Sequence, residues 1–276
     1  MVNLFNIAKT NGPRLKAEAE HVRAPLGPVE RDCLDRFTAR VGSDGRIAIN
    51  MRVDVLLELV TASKYQNMYE WARERAQWSP KSADEIIQER LGSYHQPRIA
   101  FESKFEDGER FRYGALNIGG AGATHYGDFC VIVDDALPTS GMPVVYLRGD
   151  SLKSYVGPTA SVDLAALERD AAPHSHRQYL AVLKHGTDMC RVPDDGWARL
   201  VCSADDYIEA IFVGDLTPAT IERVRIAKSD YDLYFEFAFM DFRAKLNAGE
   251  RILMNTFARL ISELNTRGIM LEVVND

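Results

Sequence analysis

The most constraining feature of this sequence is a change in hydrophobic period near Pro97. Before that residue, apolar side chains recur every three or four positions, as at Val29, Cys33, Phe37 and Val41, and this spacing predicts amphipathic helices. After it, short segments rich in β-branched and aromatic residues are bounded by glycine, proline or aspartate, which is typical of β-strands. The predicted strands are PRIAFESKF (97–105), FCVIVDD (129–135), MPVVYLRG (142–149), ARLVCS (198–203), YIEAIFVGDL (207–216) and IERVRIA (221–227).

Helical segments return after Pro97, and the C-terminal region carries two predicted helices followed by a last strand, IMLEVV (269–274). In the first part, Ser82 and Glu85 have the spacing of a capping box at the start of a helix. We therefore predict an α+β fold with a helical N-terminal region (1–95). A core with a central mixed β-sheet and C-terminal helices follows it (96–276).

Composition limits the class of protein. With 276 residues, 46% hydrophobic and 26% charged, the chain is expected to be a soluble globular protein. The net charge of −7 and the lack of a long Lys/Arg run make a nucleic-acid partner less favoured. No apolar stretch reaches membrane-spanning length, and none of the four cysteines belongs to a CxxC pair, which fits a reducing compartment.

The stretch YGALNIGGAGATHYGDFCVIV (113–133) combines many glycines with an apolar strand. It lacks the Gly-Lys-Ser/Thr of a phosphate-binding P-loop, and its glycines precede a strand instead of opening a helix, unlike a dinucleotide fingerprint. Two interpretations remain open here. The glycines either form a hairpin connection or allow the backbone to approach a ligand.

Two charged residues lie among apolar neighbours in predicted strands. Arg98 begins the first predicted strand, and Glu209 lies within YIEAIF, where strand alternation places Tyr207, Glu209 and Ile211 on one face. A charge on an inner face is costly unless it is paired or used, so both residues are candidates for a functional site. The alternative is an edge-strand or salt-bridged charge without a catalytic role.

Taken in order, these blocks resemble the bacterial mono-ADP-ribosyltransferase superfamily. The resemblance covers about residues 97–226 and leaves the helical N-terminus and the C-terminal tail outside. The blocks that carry it are RIAFE (98–102), YGALN (113–117), GGAG (119–122), YGDF (126–129), YIEA (207–210), GDL (214–216) and IERV (221–224).

The resemblance implies a sheet core of ADP-ribosyltransferase type and NAD as co-substrate, with no metal. Such enzymes break the bond between nicotinamide and ribose and pass ADP-ribose to an acceptor. Glu209 would stabilise the positive charge that develops on the ribose, and Arg98 would bind the diphosphate or the ribose. By the same match, the further NAD-binding residues are Tyr113, Gly114, Asn117, Tyr126 and Phe129, and the acceptor-side residue is Tyr207.

Two departures from the family bear on the acceptor. The second motif reads Gly127-Asp128-Phe129 where many members have Ser-Thr-Ser, and Tyr207 stands where arginine-modifying members have Glu or Gln. The tyrosine argues against an arginine acceptor. Some bacterial effectors of the superfamily modify host ubiquitin on threonine, and their size and aromatic second motif favour that acceptor. The implied protein is a bacterial effector or toxin that acts in a host cytoplasm.

Three alternatives stay open on the sequence alone. A NAD glycohydrolase would use the same residues with water as the acceptor. A nucleic-acid ADP-ribosyltransferase is the second, and an inactive binding module of the same fold is the third.

Overall fold

The computed structural model describes residues 1–62, 64–242 and 246–275, which form an α+β fold with one eight-stranded mixed sheet. The strands are β1 (Arg46–Met51), β2 (Arg112–Asn117), β3 (Phe129–Val133), β4 (Val144–Leu147), β5 (Ala171–Pro173), β6 (Glu209–Phe212), β7 (Ile221–Ala227) and β8 (Met270–Val274). The α-helices of these residues are α1 (Leu4–Arg23), α2 (Pro28–Asp44), α3 (Val53–Ala62), α4 (Met68–Ala76), α5 (Ala83–Leu91), α6 (His95–Glu102), α7 (Ala136–Thr139), α8 (Ser151–Tyr155), α9 (Leu164–Asp170), α10 (Arg177–His185), α11 (Trp197–Val201), α12 (Lys228–Phe242) and α13 (Ala248–Thr266).

The strand order in the sheet is β5-β4-β6-β2-β1-β3-β7-β8. Strand β1 lies at the centre and pairs antiparallel with both β2 and β3. Strand β6 is inserted antiparallel between β2 and β4, while β8 joins the other edge parallel to β7. The α+β class and a mixed sheet are thereby confirmed, and so are the two C-terminal helices and the closing strand.

Strand β6 divides the core between the two faces of the sheet. Ala210 and Phe212 pack into the larger hydrophobic cluster, whereas Ile211 packs into a smaller one with Phe101 and Phe111. The predicted alternation along 207–212 is therefore confirmed. Burial of each such branched or aromatic side chain stabilises the fold by about 1.5–3 kcal/mol. The face of Ile211 is also the face that carries Glu209, so this packing sets the direction of the carboxylate.

The predicted strand at 97–105 is wrong, because Arg98 lies on helix α6. Pro97 is the third residue of that helix, in the first turn, where a missing backbone N–H costs no intrahelical hydrogen bond. Phe101 fills the smaller core from this helix, and Arg98 and Glu102 are four residues apart and share a helix face. The sequence pattern predicts the start of a strand at Pro97, whereas this proline lies in the first turn of α6.

Two further predictions are corrected. The predicted strand at 198–203 is helix α11, in which the buried side chains of Trp197, Ala198 and Val201 follow helical spacing. The first 95 residues are not entirely helical, since β1 forms the centre of the sheet. Its side chains are buried on both faces, so it lacks the alternation of a half-buried strand. The division at residue 95 remains a prediction, although the sheet takes one strand from the first part.

The glycine-rich segment is not a hairpin turn, because β1 lies between β2 and β3 in the sheet. Its conformation is held by Asn50 on β1. The Asn50 amide donates hydrogen bonds to the carbonyls of Ala121 (2.9 Å) and Gly127 (3.0 Å), and its oxygen accepts one from the backbone N–H of Ala123 (2.9 Å). Gly122 has a φ of +77°, and a Cβ there would lie 2.1 Å from the Asn50 Oδ1 atom. The glycine allows close approach to a strand of the protein itself.

Replacing Gly122 with alanine is therefore expected to destabilise the fold by about 2–3 kcal/mol, from left-handed backbone strain plus the clash with Asn50. Urea unfolding measures the loss. Gly141→Ala is the matched control, because Gly141 also has a positive φ (+112°) but nothing within 4 Å of an added Cβ. Equal losses in the two variants would show that the Asn50 contact contributes nothing.

Candidate active site

A cavity of about 690 Å³ opens where α4, α6, β1, β2 and β6 meet. Its volume lies in the range of small-molecule and cofactor sites. Elements far apart in sequence supply the lining, because the sheet order places β6 beside β2 and β2 beside β1. The residues predicted from sequence that line it are Arg98, Tyr113, Gly114, Tyr126, Tyr207 and Glu209.

Glu209 is the first residue of β6 and lies opposite Ala115 of β2 and Leu147 of β4. Its side chain is buried, with 4% of the residue exposed, and its Oε2 atom accepts a hydrogen bond of 2.8 Å from the backbone N–H of Ser151. Burial raises the pKa of this carboxyl to about 8; Arg98 opposes the shift and Asp150 adds to it. A cationic ligand in the cavity would favour the ionised form. The ionisation of Glu209 is thus sensitive to positive charge in the cavity.

Arg98 enters the cavity from helix α6. Its guanidinium carbon lies 3.9 Å from the centre of the Tyr113 ring, and its Nη1 atom is 3.9 Å from the Glu102 Oε1 atom. Such a cation–π contact fixes the plane of the guanidinium. The Nη1 atom is buried and donates no hydrogen bond to any residue within the described ranges. Because a buried unsatisfied donor is costly, this atom is suited to bind an anionic or carbonyl oxygen of a ligand.

Glu102 supports Arg98 and Tyr113 from the last turn of α6. Its Oε1 atom accepts a hydrogen bond of 2.7 Å from the Tyr113 hydroxyl, and its Oε2 atom accepts one from the Tyr69 hydroxyl on α4. Burial holds the pKa of the Glu102 carboxyl above its ordinary value, against the opposing charge of Arg98. The network joins α4, α6 and β2, which brings the three walls of the cavity together.

Replacing Glu102 with leucine is expected to lower the free energy of unfolding by about 3 kcal/mol, because two phenols and a guanidinium would lose their buried partner. Glu109→Leu is the control, since its ion pair with Arg73 is exposed and such pairs contribute about 0–1 kcal/mol. Chemical denaturation of both variants gives the comparison. A loss from Glu102→Leu no larger than that of the control would rule out the network as a stabilising element.

Tyr207 and Tyr126 form a second group of hydrogen bonds on the cavity wall. The Tyr207 hydroxyl donates to the Asp150 Oδ2 atom (2.8 Å), and the hydroxyls of Tyr126 and Tyr207 lie 2.9 Å apart. Because Tyr207 uses its proton on Asp150, Tyr126 is the donor in the tyrosine pair. Asp150 also caps helix α8 by accepting from the backbone N–H groups of Leu152 and Lys153. A second carboxylate therefore faces the cavity with Glu209.

Two predicted NAD-binding residues do not line the cavity. Asn117 is fully buried, and its Oδ1 atom accepts hydrogen bonds from the backbone N–H of Gly119 (2.8 Å) and from the Arg225 guanidinium (3.0 Å). Phe129 is also fully buried and packs against the rings of Tyr234 and Phe257. Both residues hold the sheet and the glycine-rich segment in place. Gly114 does line the cavity, yet a Cβ at that position would lie 2.5 Å from the Ala48 carbonyl oxygen, so strand packing alone requires glycine there.

Several lining or supporting residues were not predicted as site residues. Glu102 belongs to the quoted RIAFE block, four residues after Arg98, and helical spacing was the signal that would have identified it. Asp150 and Ser151 follow β4 and reach Glu209 because β4 pairs with β6. Nothing in the sequence indicates that pairing. Helices α4 and α5 also contribute side chains, from the region predicted only as helical.

No family model matches this chain, and no curated protein is similar to it at a significant level. Within residues 1–62, 64–242 and 246–275, no helix combines the length and apolar character needed to cross a membrane. The same part of the chain contains no group of three or more His, Cys, Asp or Glu side chains arranged to hold a metal ion.

Proposed function

We propose that the chain is an NAD-dependent mono-ADP-ribosyltransferase with Glu209 and Arg98 as its central residues. The observation that carries the proposal is the meeting of these two side chains, more than 100 positions apart in sequence, on the wall of one cavity. The buried carboxyl and the guanidinium, whose Nη1 atom has no hydrogen-bond partner, are complementary to a ligand that carries both positive and negative charge. NAD has a cationic nicotinamide and an anionic diphosphate.

In the proposed reaction the bond between ribose C1′ and the nicotinamide nitrogen breaks, and its electron pair neutralises the pyridinium ring. The acceptor group then bonds to C1′ and releases its proton. NAD and the acceptor thus give an ADP-ribosyl acceptor, nicotinamide and a proton. Because C1′ gains positive charge before the new bond forms, ionised Glu209 in a buried site would stabilise the transition state more than the ground state.

The supporting residues have roles that follow from their contacts. Arg98, held over the Tyr113 ring and beside Glu102, would donate a hydrogen bond from its Nη1 atom to the diphosphate or ribose oxygens. Tyr126 is half exposed at the cavity and offers an aromatic surface for the nicotinamide. Asn117 and Phe129 are left out of this proposal because both lie within the protein core.

The acceptor is proposed to be a protein side chain other than arginine, with a ubiquitin threonine as the specific candidate, and the protein to act as a bacterial effector or toxin. A hydroxyl acceptor must lose its proton as the new bond forms. Asp150 is a suitable base, since Tyr207 holds its Oδ2 atom and the carboxylate faces the cavity. This arrangement offers a carboxylate near the acceptor position although residue 207 is itself a tyrosine.

The position of Arg98 on a helix differs from the strand that the sequence resemblance implied. The proposal therefore rests on the composition of the cavity and not on the topology of an ADP-ribosyltransferase sheet. In either setting the guanidinium needs one rigid element to aim it, and here α6 is fixed by the burial of Phe101 and Glu102.

The test is incubation of the purified protein with adenylate-labelled NAD and a host-cell lysate, with Glu209→Ala in parallel. A labelled protein band that the variant does not produce is the expected result, and a band at the mass of ubiquitin would identify the specific acceptor. Release of nicotinamide without labelled macromolecule would instead indicate a glycohydrolase. Label on nucleic acid would indicate a nucleic-acid ADP-ribosyltransferase. No NAD consumption would contradict the proposed activity.

A further inference from the structure

Helices α4 and α5 present two arginines and a tryptophan to the cavity. Trp71 and Arg75 are four residues apart on α4, and Arg90 lies in the last turn of α5. The guanidinium carbons of Arg75 and Arg90 lie 4.9 and 4.3 Å from the centre of the Trp71 ring. All three side chains line the same cavity as Glu209. The two helices pack through Ala72, Ile86 and Ile87, which fixes the arginines relative to each other.

Arg75 and Arg90 differ from the other cations of this cavity in lacking an anionic partner. Arg52 pairs with Asp54, Lys64 with Glu70, and Arg98 with Glu102. Across the described parts of the chain, neither the Arg75 nor the Arg90 side chain forms an ion pair or a hydrogen bond.

The acidic neighbours of these arginines on the same helices are engaged elsewhere. Glu74 accepts a hydrogen bond from Gln66, and Glu89 pairs with Lys81. Two positive charges held over one ring, with no carboxylate between them, repel each other unless an anion lies nearby. Their side chains are exposed at the cavity, so an anion from solution can reach them.

We infer that Arg75 and Arg90 form a binding subsite for the diphosphate of a nucleotide. Guanidinium groups bind phosphate oxygens through paired, charge-assisted hydrogen bonds, and a diphosphate carries enough charge and oxygen atoms for two of them. The Trp71 ring keeps both guanidinium planes oriented before the ligand arrives, which lowers the entropic cost of binding. This inference deepens the proposed function and rests on it for the identity of the nucleotide as NAD. Binding of a diphosphate can nevertheless be measured without any turnover.

The experiment is titration calorimetry of ADP into the full chain and into the double variant Arg75→Gln/Arg90→Gln. We expect the Kd for ADP to rise at least tenfold in the variant. The matched control is Arg73→Gln/Arg110→Gln, which removes the same charge from exposed arginines that pair with Glu109 and Asp107 and do not line this cavity. Its Kd is expected to stay within about twofold of the unmodified protein, since long-range charge effects on exposed sites are screened by salt. Circular dichroism and thermal unfolding establish that both double variants are folded.

The outcomes separate this inference from the proposed activity. Loss of ADP affinity confined to Arg75→Gln/Arg90→Gln supports the subsite even if the protein never cleaves NAD. An unchanged Kd in that variant overturns the inference, and so does equal weakening in both variants or an absence of ADP binding by the unmodified protein. If NAD is cleaved and its KM does not change in Arg75→Gln/Arg90→Gln, the subsite is wrong while the activity stands.

Discussion

Replacing Glu209 with glutamine is expected to lower kcat for nicotinamide release from NAD at least 100-fold. The amide oxygen of glutamine can still accept the hydrogen bond from the Ser151 backbone N–H, so the side chain keeps its position. The glutamine side chain lacks the negative charge that would stabilise the positive charge on ribose C1′. Removal of one such preorganised electrostatic contact typically costs a factor of about 100–1,000 in rate. KM should change less than kcat, because the positive charge on ribose C1′ develops only in the transition state, whereas the charge of the nicotinamide is already present in bound NAD.

The measurement is the initial rate of nicotinamide release over a range of NAD concentrations, for the unmodified protein, Glu209→Gln and Glu58→Gln. Glu58 is an exposed carboxylate on the wall of the same cavity and has no role in the proposed mechanism. Its variant should retain the unmodified rate within about threefold, as expected for a screened surface charge. A Glu209→Gln variant with full kcat would remove Glu209 from the catalytic role and leave the cavity as a binding site.

The sequence was sufficient to predict elements whose signal is local. Helix α5 has the Ser82–Glu85 capping box, in which the Ser82 hydroxyl accepts from the Glu85 backbone N–H. Strands β3, β6 and β7 are short segments rich in β-branched or aromatic residues, and each lies within its predicted segment, although β3 and β6 end before the predicted limits. In these cases the residues that determine the element lie within it, so no knowledge of tertiary contacts was needed.

Arg98 was a candidate site residue because of its charge among apolar neighbours and because of the family resemblance. It lines the cavity, whereas its assignment to a strand was wrong. Burial of Phe101 in the core and the Arg98–Glu102 spacing stabilise the helix. Proline before an apolar segment suits a strand edge and a first helical turn equally well, so composition could not decide between them.

The contacts that complete the site depend on strand order, which no local pattern records. Asp150 reaches the cavity because β4 pairs with β6, and Tyr113 faces Arg98 because β2 lies beside β6 and next to helix α6. Phe129 was expected at the ligand because the family resemblance places it in the second motif. Its strand, β3, pairs with β1 and β7 instead, so its ring packs beneath the C-terminal helices. Long-range strand pairing therefore determines whether Phe129 lies at the ligand cavity or in the core beneath the C-terminal helices.

A second large effect is expected on stability and does not depend on the activity. Burial raises the pKa of Glu209 to about 8, whereas an unfolded glutamate titrates near 4.5. Between these two pH values the folded protein keeps a proton that the unfolded chain has lost. The unfolded state therefore binds fewer protons, and the contribution of Glu209 to the free energy of unfolding falls as pH rises through this window. The total decline from this residue is on the order of 3–5 kcal/mol, complete slightly above pH 8.

Glutamine at position 209 removes this titration while it preserves the shape of the side chain. The free energy of unfolding of Glu209→Gln minus that of the unmodified protein should thus be close to zero or slightly negative at pH 5. The same difference should become positive at pH 8.5. Urea unfolding at a series of pH values measures the difference, in which the titrations of all other groups cancel to first order. The positive charge of Arg98 acts in the opposite direction, because it favours the charged carboxylate. If Glu209→Gln is instead less stable at pH 8.5 than at pH 5, relative to the unmodified protein, the charge of Arg98 outweighs the cost of burial. The carboxyl would then be fully ionised at neutral pH before any ligand binds.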